Sequence, residues 1–280
     1  MENRKENRYA TIVIVFVMLF FFASYAYSDD TRSDDSGARA IIEKVENRDD
    51  GDNQVADMEM ALIDKKGKKR IRKIKSFQKD KNADTLRLMF FLHPADVKDT
   101  AFLTYDYDAP EKDDDQWLYL PALHKTKRIA SADKDGSFMG SDLNYSDMTS
   151  RNLEDYDFSF YEKGKEMDVH GVKAWVIWSI PRDKKVIDET GYKKSLIWVR
   201  QDNDVVIRAI NWEKSGGYLK YLDAKKMEVI DGIWVVTEMR VTRKKGKQTK
   251  HKTILTFKNV GFNQEFDEGL FTVRQMEKGL

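Results

Sequence analysis

Between Val55 and Val260 a turn signal interrupts the chain at intervals of about 8–12 residues, a spacing that suits short strands and little else. The clearest turns are Lys65-Lys66-Gly67-Lys68, Glu162-Lys163-Gly164-Lys165, Gln201-Asp202-Asn203-Asp204, Asp231-Gly232 and Lys244-Lys245-Gly246-Lys247. A parallel strand pair needs a long crossover, usually a helix, whereas an antiparallel pair closes through a short turn. The chain therefore predicts an antiparallel meander and no βαβ unit. No internal repeat and no linker divides it.

The strands themselves show two kinds of pattern. Over residues 55–64, Ala56, Met58, Met60 and Leu62 alternate with Asp57 and Glu59, the period of a half-buried strand. Residues 85–92 place Leu86, Leu88, Phe90 and Leu92 on one side. Further strands are predicted over 69–78, 102–107, 117–120, 156–161, 205–212, 218–230, 234–242 and 249–260. In contrast, residues 174–180 (AWVIWSI) are apolar on both sides, with Trp175 and Trp178 opposed, and residues 196–199 are similar. An antiparallel sheet is apolar on both faces only where both are covered or where it curls around a cavity. A two-sheet sandwich and a curved half-barrel both account for this pattern. One amphipathic helix is predicted over residues 36–48, with Ser36 as N-cap and Ile41, Ile42 and Val45 on one face.

Bulk composition narrows the function. Hydrophobic residues make up 41% of the 280, enough for a large core. The charged fraction of 35% exceeds the roughly 25% of an average domain. The charges nearly cancel, at 49 basic and 48 acidic, so there is no net basic footprint for nucleic acid. With no cysteine there is no disulfide, thiolate metal site, cysteine nucleophile or lipid-modified N-terminal cysteine. Residues 1–28 read as a secretory signal peptide: Arg4, Lys5 and Arg8 precede an apolar run over 10–22, and small residues permit cleavage after Ala26 or Ser28. An uncleaved N-terminal anchor is the alternative. Residues 29–35 (DDTRSDD in the stretch 29–35) read as a disordered linker, and residues 36–280 as one domain.

Motifs for catalysis are weak. There is no G-x-S-x-G elbow, and Ser137 and Ser141 lie in a glycine-rich loop without a base in sequence proximity. The histidines His93, His124, His170 and His251 lack metal-ligand spacing, and Asp133-Lys134-Asp135-Gly136 lacks the later ligands of a calcium loop. The pair Asp106/Asp108 is unremarkable among so many carboxylates. No metal, cofactor or catalytic residue is expected. The basic run over residues 65–75 (KKGKKRIRKIK) suits either a solvated hairpin or contact with an anionic surface. Of the 6 Trp, 12 Tyr, 15 Phe and 11 Met most must be core, and a surplus lining an open concavity would suit flexible apolar ligands.

One stretch carries a resemblance. Residues 117–123 read W-x-Y-L-P-A-L, a basic step follows over 125–129, and residues 138–147 read F-x-G-S-D-x-x-Y-x-D. These resemble the outer-membrane lipoprotein-sorting protein family, the LolA-like group associated with exporters of the resistance-nodulation-division (RND/MMPL) type. The matching positions are Leu120, Pro121, Arg128, Gly140, Ser141, Asp142, Tyr145 and Asp147. The resemblance implies a mainly β fold: an incomplete, strongly curved antiparallel barrel, with a few helices plugging its concave side. It also implies a periplasmic, non-enzymatic carrier that holds lipid or lipoprotein acyl chains and passes them towards the outer membrane. Expected partners are the acylated cargo and an inner-membrane exporter, with no nucleic acid, and the protein is expected to be a monomer. Candidate cavity residues are Met58, Met60, Leu62, Leu88, Phe90, Trp117, Tyr119, Trp178, Trp198 and Trp234. The signature stretch is expected near the mouth or one wall of the barrel, with Pro121 and Gly140 fixing turns and Arg128, Asp142 and Asp147 as pairing or capping charges. A docking adaptor of an exporter and a lipid-acting hydrolase are the alternatives.

Overall fold

The structure, a computed structural model, describes residues 33–169, 171–267 and 269–280. The expected signal peptide and residues 29–32 lie outside the described residues, as does His170. The chain is mainly β. In order come α1 (Ser36–Glu46), β1 (Asn53–Asp64), β2 (Lys69–Lys81), β3 (Asp84–His93), β4 (Ala101–Asp106), β5 (Asp115–Leu120) and β6 (Lys125–Arg128). A run of short 3-10 turns then leads to β7 (Tyr156–Phe160), β8 (Glu166–Val169) and β9 (Val172–Pro181). After α2 (Lys184–Thr190) come β10 (Tyr192–Arg200), β11 (Val206–Glu213), β12 (Tyr218–Ile230), β13 (Ile233–Lys245), β14 (Gln248–Phe262) and α3 (Val273–Lys278).

All pairings are antiparallel, in one sheet of order β6-β5-β4-β3-β2-β1-β14-β13-β12-β11-β10-β9-β7, with β8 paired to β9. The first and last strands, β1 and β14, thus lie side by side in the middle. Each half of the chain winds outward from them, and the sheet ends at β6 and β7.

Cross-strand register defines the two faces. On the inner face Ile74, Met58 and Phe257 stand in line across β2, β1 and β14. Val241, Leu222, Ala209, Ile197 and Ile177 continue the same face across β13 to β9. The sheet is strongly curved, and two adjacent residues prove it. The Asn144 side chain accepts from Lys220 of β12 at 2.6 Å, while the Tyr145 carbonyl accepts from Gln116 of β5 at 2.9 Å. Seven strand steps separate β5 from β12, which on a flat sheet would be about 33 Å. Consecutive Cα atoms are only about 3.8 Å apart, so the sheet must wrap around the loop. This favours the half-barrel over the sandwich.

Cover for the two faces differs from expectation. Helix α1 covers one part of the inner face, setting buried Ala38 and Ile42 against Phe158, Ile177 and Val199, and Val186 of α2 packs on the same cluster. The middle of that face is filled by the loop between β6 and β7. The C-terminal segment lies on the outer face, where Phe271 and Met276 of the α3 region pack on Leu88, Phe90 and Leu103.

The start of the domain also needs correction. Asp35, not Ser36, caps α1, its Oδ1 accepting from the amides of Gly37 (2.8 Å) and Ala38 (3.0 Å). Asp34 accepts from the Phe158 amide at 2.8 Å and pairs with Arg39 at 2.6 Å. These two residues, assigned by polarity to a disordered linker, are ordered because their carboxylates satisfy a helix start and a strand end.

Candidate functional site

The plug is built from the signature stretch. Pro121 stops β5 and opens a 3-10 turn, which His124 leaves in the left-handed region (φ 45°). Arg128 bonds Asp115 across the β5–β6 pair, Nε to Oδ1 at 2.9 Å. The chain then turns inward. Met139 (φ 49°) and Gly140 (φ 72°) form a left-handed pair, and with no Cβ the glycine adopts this without strain. Ser141 is occupied by the backbone: its hydroxyl accepts from the Leu143 amide at 3.1 Å, and its carbonyl accepts from Ser137 Oγ at 2.6 Å. Asn144 and Asp147 form a reciprocal capping box, Asp147 Oδ2 lying 2.7 Å from the Asn144 amide.

Three apolar side chains seat the plug. Phe138 is 1% exposed, its ring centroid 5.0 Å from that of Phe102 and 5.7 Å from that of Tyr145. Leu143 and Phe138 join the inner-face cluster of Met58, Met60, Leu62 and Val241. Burial raises the Tyr145 phenol above its ordinary pKa. Residues 138–147 of the signature thus lie against the inner face of the sheet, while Pro121 and Arg128 stay at its β5–β6 edge. The reason is the apolar content of residues 138–147: Phe138, Leu143 and Tyr145 need a surface that only the inner face supplies.

Polar pins fix the plug to strands on every side. Asp142, 4% exposed, accepts from Thr253 Oγ1 and lies against His251 Nδ1, both at 2.8 Å, and its amide donates to Thr253 Oγ1 at 2.9 Å. Arg72 of β2 donates to the Met139 carbonyl, and Arg87 of β3 to that of Met148 at 3.3 Å. Tyr192 of β10 donates to Asp147 at 2.8 Å. Burial first, then the Asp147 carboxylate, pushes the Tyr192 phenol well above its ordinary value. Burial lowers Lys220, partly offset by the carboxylates of Asp147, Glu213 and Asp142. Such a network pairs the buried charges of Asp142, Asp147 and Lys220 and holds the loop in place.

Two neighbouring, largely apolar cavities share lining residues, the first between plug and sheet and the second between the sheet and residues 48–50. The first, of about 330 Å³, is lined by Met58, Met60, Met89, Met148, Met239, Phe138, Leu143, Leu255 and Phe257, with the polar Gln54, Ser76, Gln78, Arg87, Asp147, Thr149 and Ser150 completing its wall. The other, about 310 Å³, shares Gln54, Gln78, Met239 and Phe257 with it and continues past Trp234, Val235 and Phe262 to Arg48. Five methionines in one wall make a soft, re-packable surface. Two other hollows are polar. One of about 470 Å³ is lined by Asp142, Lys220, Arg243 and His251. The other, about 570 Å³, contains Glu46 and Asp114, whose carboxyl pKa values burial raises. No group of three or more His, Cys, Asp or Glu among the described residues is placed to hold a metal.

The structure sorts the candidate cavity residues. Met58 and Met60 line the larger cavity, and Leu62 lies on the same face in the same cluster. Trp234 lines the smaller one, with the Arg200 guanidinium 5.2 Å from its ring. Leu88, Phe90, Trp117 and Tyr119 instead face outward, under the C-terminal segment. Trp178 and Trp198 are also on the outer face, clustered with Leu196 and Val176. These six are corrected for one reason: in strands apolar on both sides, alternation does not say which side is in. Met89, Met148, Met239, Leu255 and Phe257 were missed. A usable signal existed for Phe257, which Thr256 and Lys258 flank, but not for Leu255, which has Ile254 beside it.

Comparison with known proteins agrees with this architecture. A family model described as "-like: Uncharacterized protein" matches residues 83–278. No curated protein matches the chain. A crystal structure of a DUF1329 family protein from Desulfovibrio piger superposes with a TM-score of 0.78 at 28% identity, covering 88% of this chain and 100% of that one. A putative outer membrane lipoprotein-sorting protein domain from Vibrio parahaemolyticus gives 0.76 at 29% identity, covering 86% and 98%. A LolA superfamily protein from Nitrosomonas europaea shares the fold, with a TM-score of 0.61 at 18% identity over 85% and 98% of the two chains.

Proposed function

Since the chain belongs to the LolA-like outer-membrane lipoprotein-sorting protein family, we propose that it is a carrier whose inner-face cavities hold the acyl chains of a lipid or lipoprotein. The observation that carries this reading is the methionine-lined space between plug and sheet. Each methylene taken out of water contributes ~0.8 kcal/mol, so an acyl chain is held in the cavity yet leaves for an apolar site of equal quality. The polar side chains Gln54, Gln78 and Arg48 in the cavity walls suit the ester and headgroup of such a ligand. The residues proposed to contact it are Met58, Met60, Met89, Met148, Met239, Leu255, Phe257 and Trp234.

The plug is the element that must yield for loading. It is seated by Phe138, Leu143 and Tyr145 and pinned by hydrogen bonds and ion pairs rather than by a continuous strand, and a population shift that frees these contacts opens it. Ser137 and Ser141 serve the backbone of the plug, and the proposed activity is binding and transfer without bond cleavage. Among the described residues no helix is long and apolar enough to cross a membrane. The setting we propose is the periplasm, reached through the signal-like residues 1–28. Transfer runs towards the outer membrane, from an inner-membrane exporter of the RND/MMPL type.

Native mass spectrometry of the protein purified from cells, with lipid extraction of the same sample, tests the reading. A co-purifying acyl ligand, or uptake of a fluorescent acyl probe by stripped protein, is expected. Protein that is consistently empty and takes up no acylated probe refutes it.

A further inference from the structure

The near-neutral chain is electrically lopsided. Antiparallel pairing places the β1–β2 turn and the β13–β14 turn side by side at one end of strands β2, β1, β14 and β13. Residues 64–73 carry seven Lys or Arg and one Asp, and residues 243–252 carry six and no carboxylate. The other end of the same strands is acidic: Asp49, Asp50 and Asp52 lead into β1, Asp231 turns β12 into β13, and Glu265 follows β14. At the basic end Lys65, Lys66, Lys68, Lys69, Lys245 and Lys247 are exposed, and none is paired with a carboxylate among the described residues.

We propose that this basic end is a docking surface for the anionic phospholipid face of a bilayer. Three observations favour lipid over an acidic protein. First, ten of the thirteen basic residues are lysine, the type depleted from protein interfaces, where arginine is enriched. A lysine is a mobile point charge that suits a diffuse headgroup field better than a carboxylate fork. Second, apolar side chains are exposed at the same end of neighbouring strands: Leu123, in the β5–β6 turn, is 67% exposed, and Leu92, near the end of β3, 43%. Basic residues beside a few apolar anchors are what an interfacial surface needs. Third, Tyr218 and Tyr221 lie under Arg243, Lys244 and Lys245, with cation-to-ring distances of 4.1, 4.7 and 4.9 Å, and tyrosine favours the headgroup region.

The surface is continuous with the pins of the plug. Arg72 of β2 holds the Met139 carbonyl, and His251 of β14 holds Asp142. Both residues belong to the basic segments, so docking bears on the strand ends that keep the plug seated. The surface itself does not depend on what the cavity contains.

Vesicle sedimentation tests it, using the purified full protein with phosphatidylcholine vesicles and with mixed phosphatidylcholine–phosphatidylglycerol vesicles. Pelleting with the mixed vesicles alone is expected. The combined Lys65→Gln, Lys66→Gln, Lys68→Gln, Lys69→Gln, Lys245→Gln and Lys247→Gln variant is expected to bind them at least about a hundredfold more weakly. A combined Asp49→Asn, Asp50→Asn and Asp231→Asn variant, altered at the other end, is expected to bind at least as well as the parent. Should the lysine variant be unstable, a salt titration of the parent decides, because screening lengths fall from ~10 Å at 0.1 M to ~3 Å at 1 M. Release by salt supports the surface. No pelleting with anionic vesicles, equal pelleting with both kinds, full binding by the folded lysine variant, or binding that survives high salt overturns it. An empty cavity in the mass-spectrometric experiment leaves this result untouched, so the two ideas fail separately.

Discussion

Lys220 and Asn144 meet inside the curve of the sheet, with Nζ donating to Oδ1 at 2.6 Å and Lys220 only 5% exposed. The same ammonium donates to Tyr192 Oη at 3.0 Å, and Tyr192 in turn donates to Asp147. One buried charge therefore joins β12, β10 and the capping box of the plug.

Replacing that charge should loosen the plug rather than unfold the sheet. Lys220→Met removes the ammonium's hydrogen bonds to Asn144 Oδ1 and Tyr192 Oη, which costs about 1–3 kcal/mol. Urea unfolding reads the loss, and amide exchange should quicken at residues 142–147 before it does so in β1 or β14. Uniform acceleration across the sheet would contradict a local role.

Asp142→Ala should act in the same direction from the opposite side of the plug. It strips Thr253 Oγ1 and His251 Nδ1 of a shared buried acceptor, at a cost of about 1–3 kcal/mol. The expected result is a lower midpoint in thermal melts and faster proteolysis within residues 138–147. Unchanged stability would show that the pin contributes nothing.

Glu213 gives the stability a pH dependence. Burial raises its pKa, but two 2.7 Å hydrogen bonds from Arg243, with Lys220 nearby, outweigh that and hold the carboxyl below its ordinary 4.5. A depressed carboxyl stabilises the fold above the unfolded-state value and loses that contribution as pH falls through the folded value. The stability gap between the parent and Glu213→Gln should be steady near neutrality and close in acid, below the ordinary glutamate value. A gap that widens on acidification would reverse the assignment.

The two faces of the sheet should respond differently to substitution. Met239→Trp fills the junction of the two apolar cavities and is expected to weaken acyl-probe binding by about tenfold or more, equivalent to ~1.4 kcal/mol. Phe90→Ala, on the outer face, should cost about 3–5 kcal/mol of stability while the folded protein binds the probe as before. Probe titration beside urea unfolding checks both, and equal loss of binding in the two variants would remove the inner-face assignment.

How legible the chain was depends on where charges fall. Met58 and Met60 are flanked by Asp57 and Glu59, so β1 declares both its period and its buried side. In β3, Leu88 and Phe90 alternate with Met89 and Phe91, and nothing local ranks one pair above the other. Only the register with Ile74 and the packing of Met276 assign them. The segments β8, α2 and α3 escaped notice because they are too short for a period to emerge: EMDV alternates over only two apolar residues, and VRQMEK spans under two turns. Signature residues with local jobs were readable, such as Pro121 ending a strand and Gly140 in a left-handed turn. The burial of Phe138 was not, because polar neighbours surround it and its contacts with Phe91 and Phe102 come from distant strands. Asn144 and Lys220 are likewise 76 residues apart, beyond any local pattern.

The central place of β1 and β14 has a mechanical consequence. The free edges of the sheet, β6 and β7, belong to the middle of the chain, and residues 129–155 tie one edge to the other across the interior. Sheet and plug together form a hoop, covalent except at the β1–β14 seam, which backbone hydrogen bonds close, so the gap between edges widens only as far as that strap pays out its own turns. A single protease cut within residues 129–155 would release both edges at once and let the curve unroll. A cut between β12 and β13 would spare the strap. Meanwhile the Asn263 amide donates to the Asn53 carbonyl at 3.0 Å, so rejoining the chain there and reopening it at the β12–β13 turn would reorder the sequence while leaving the hoop intact.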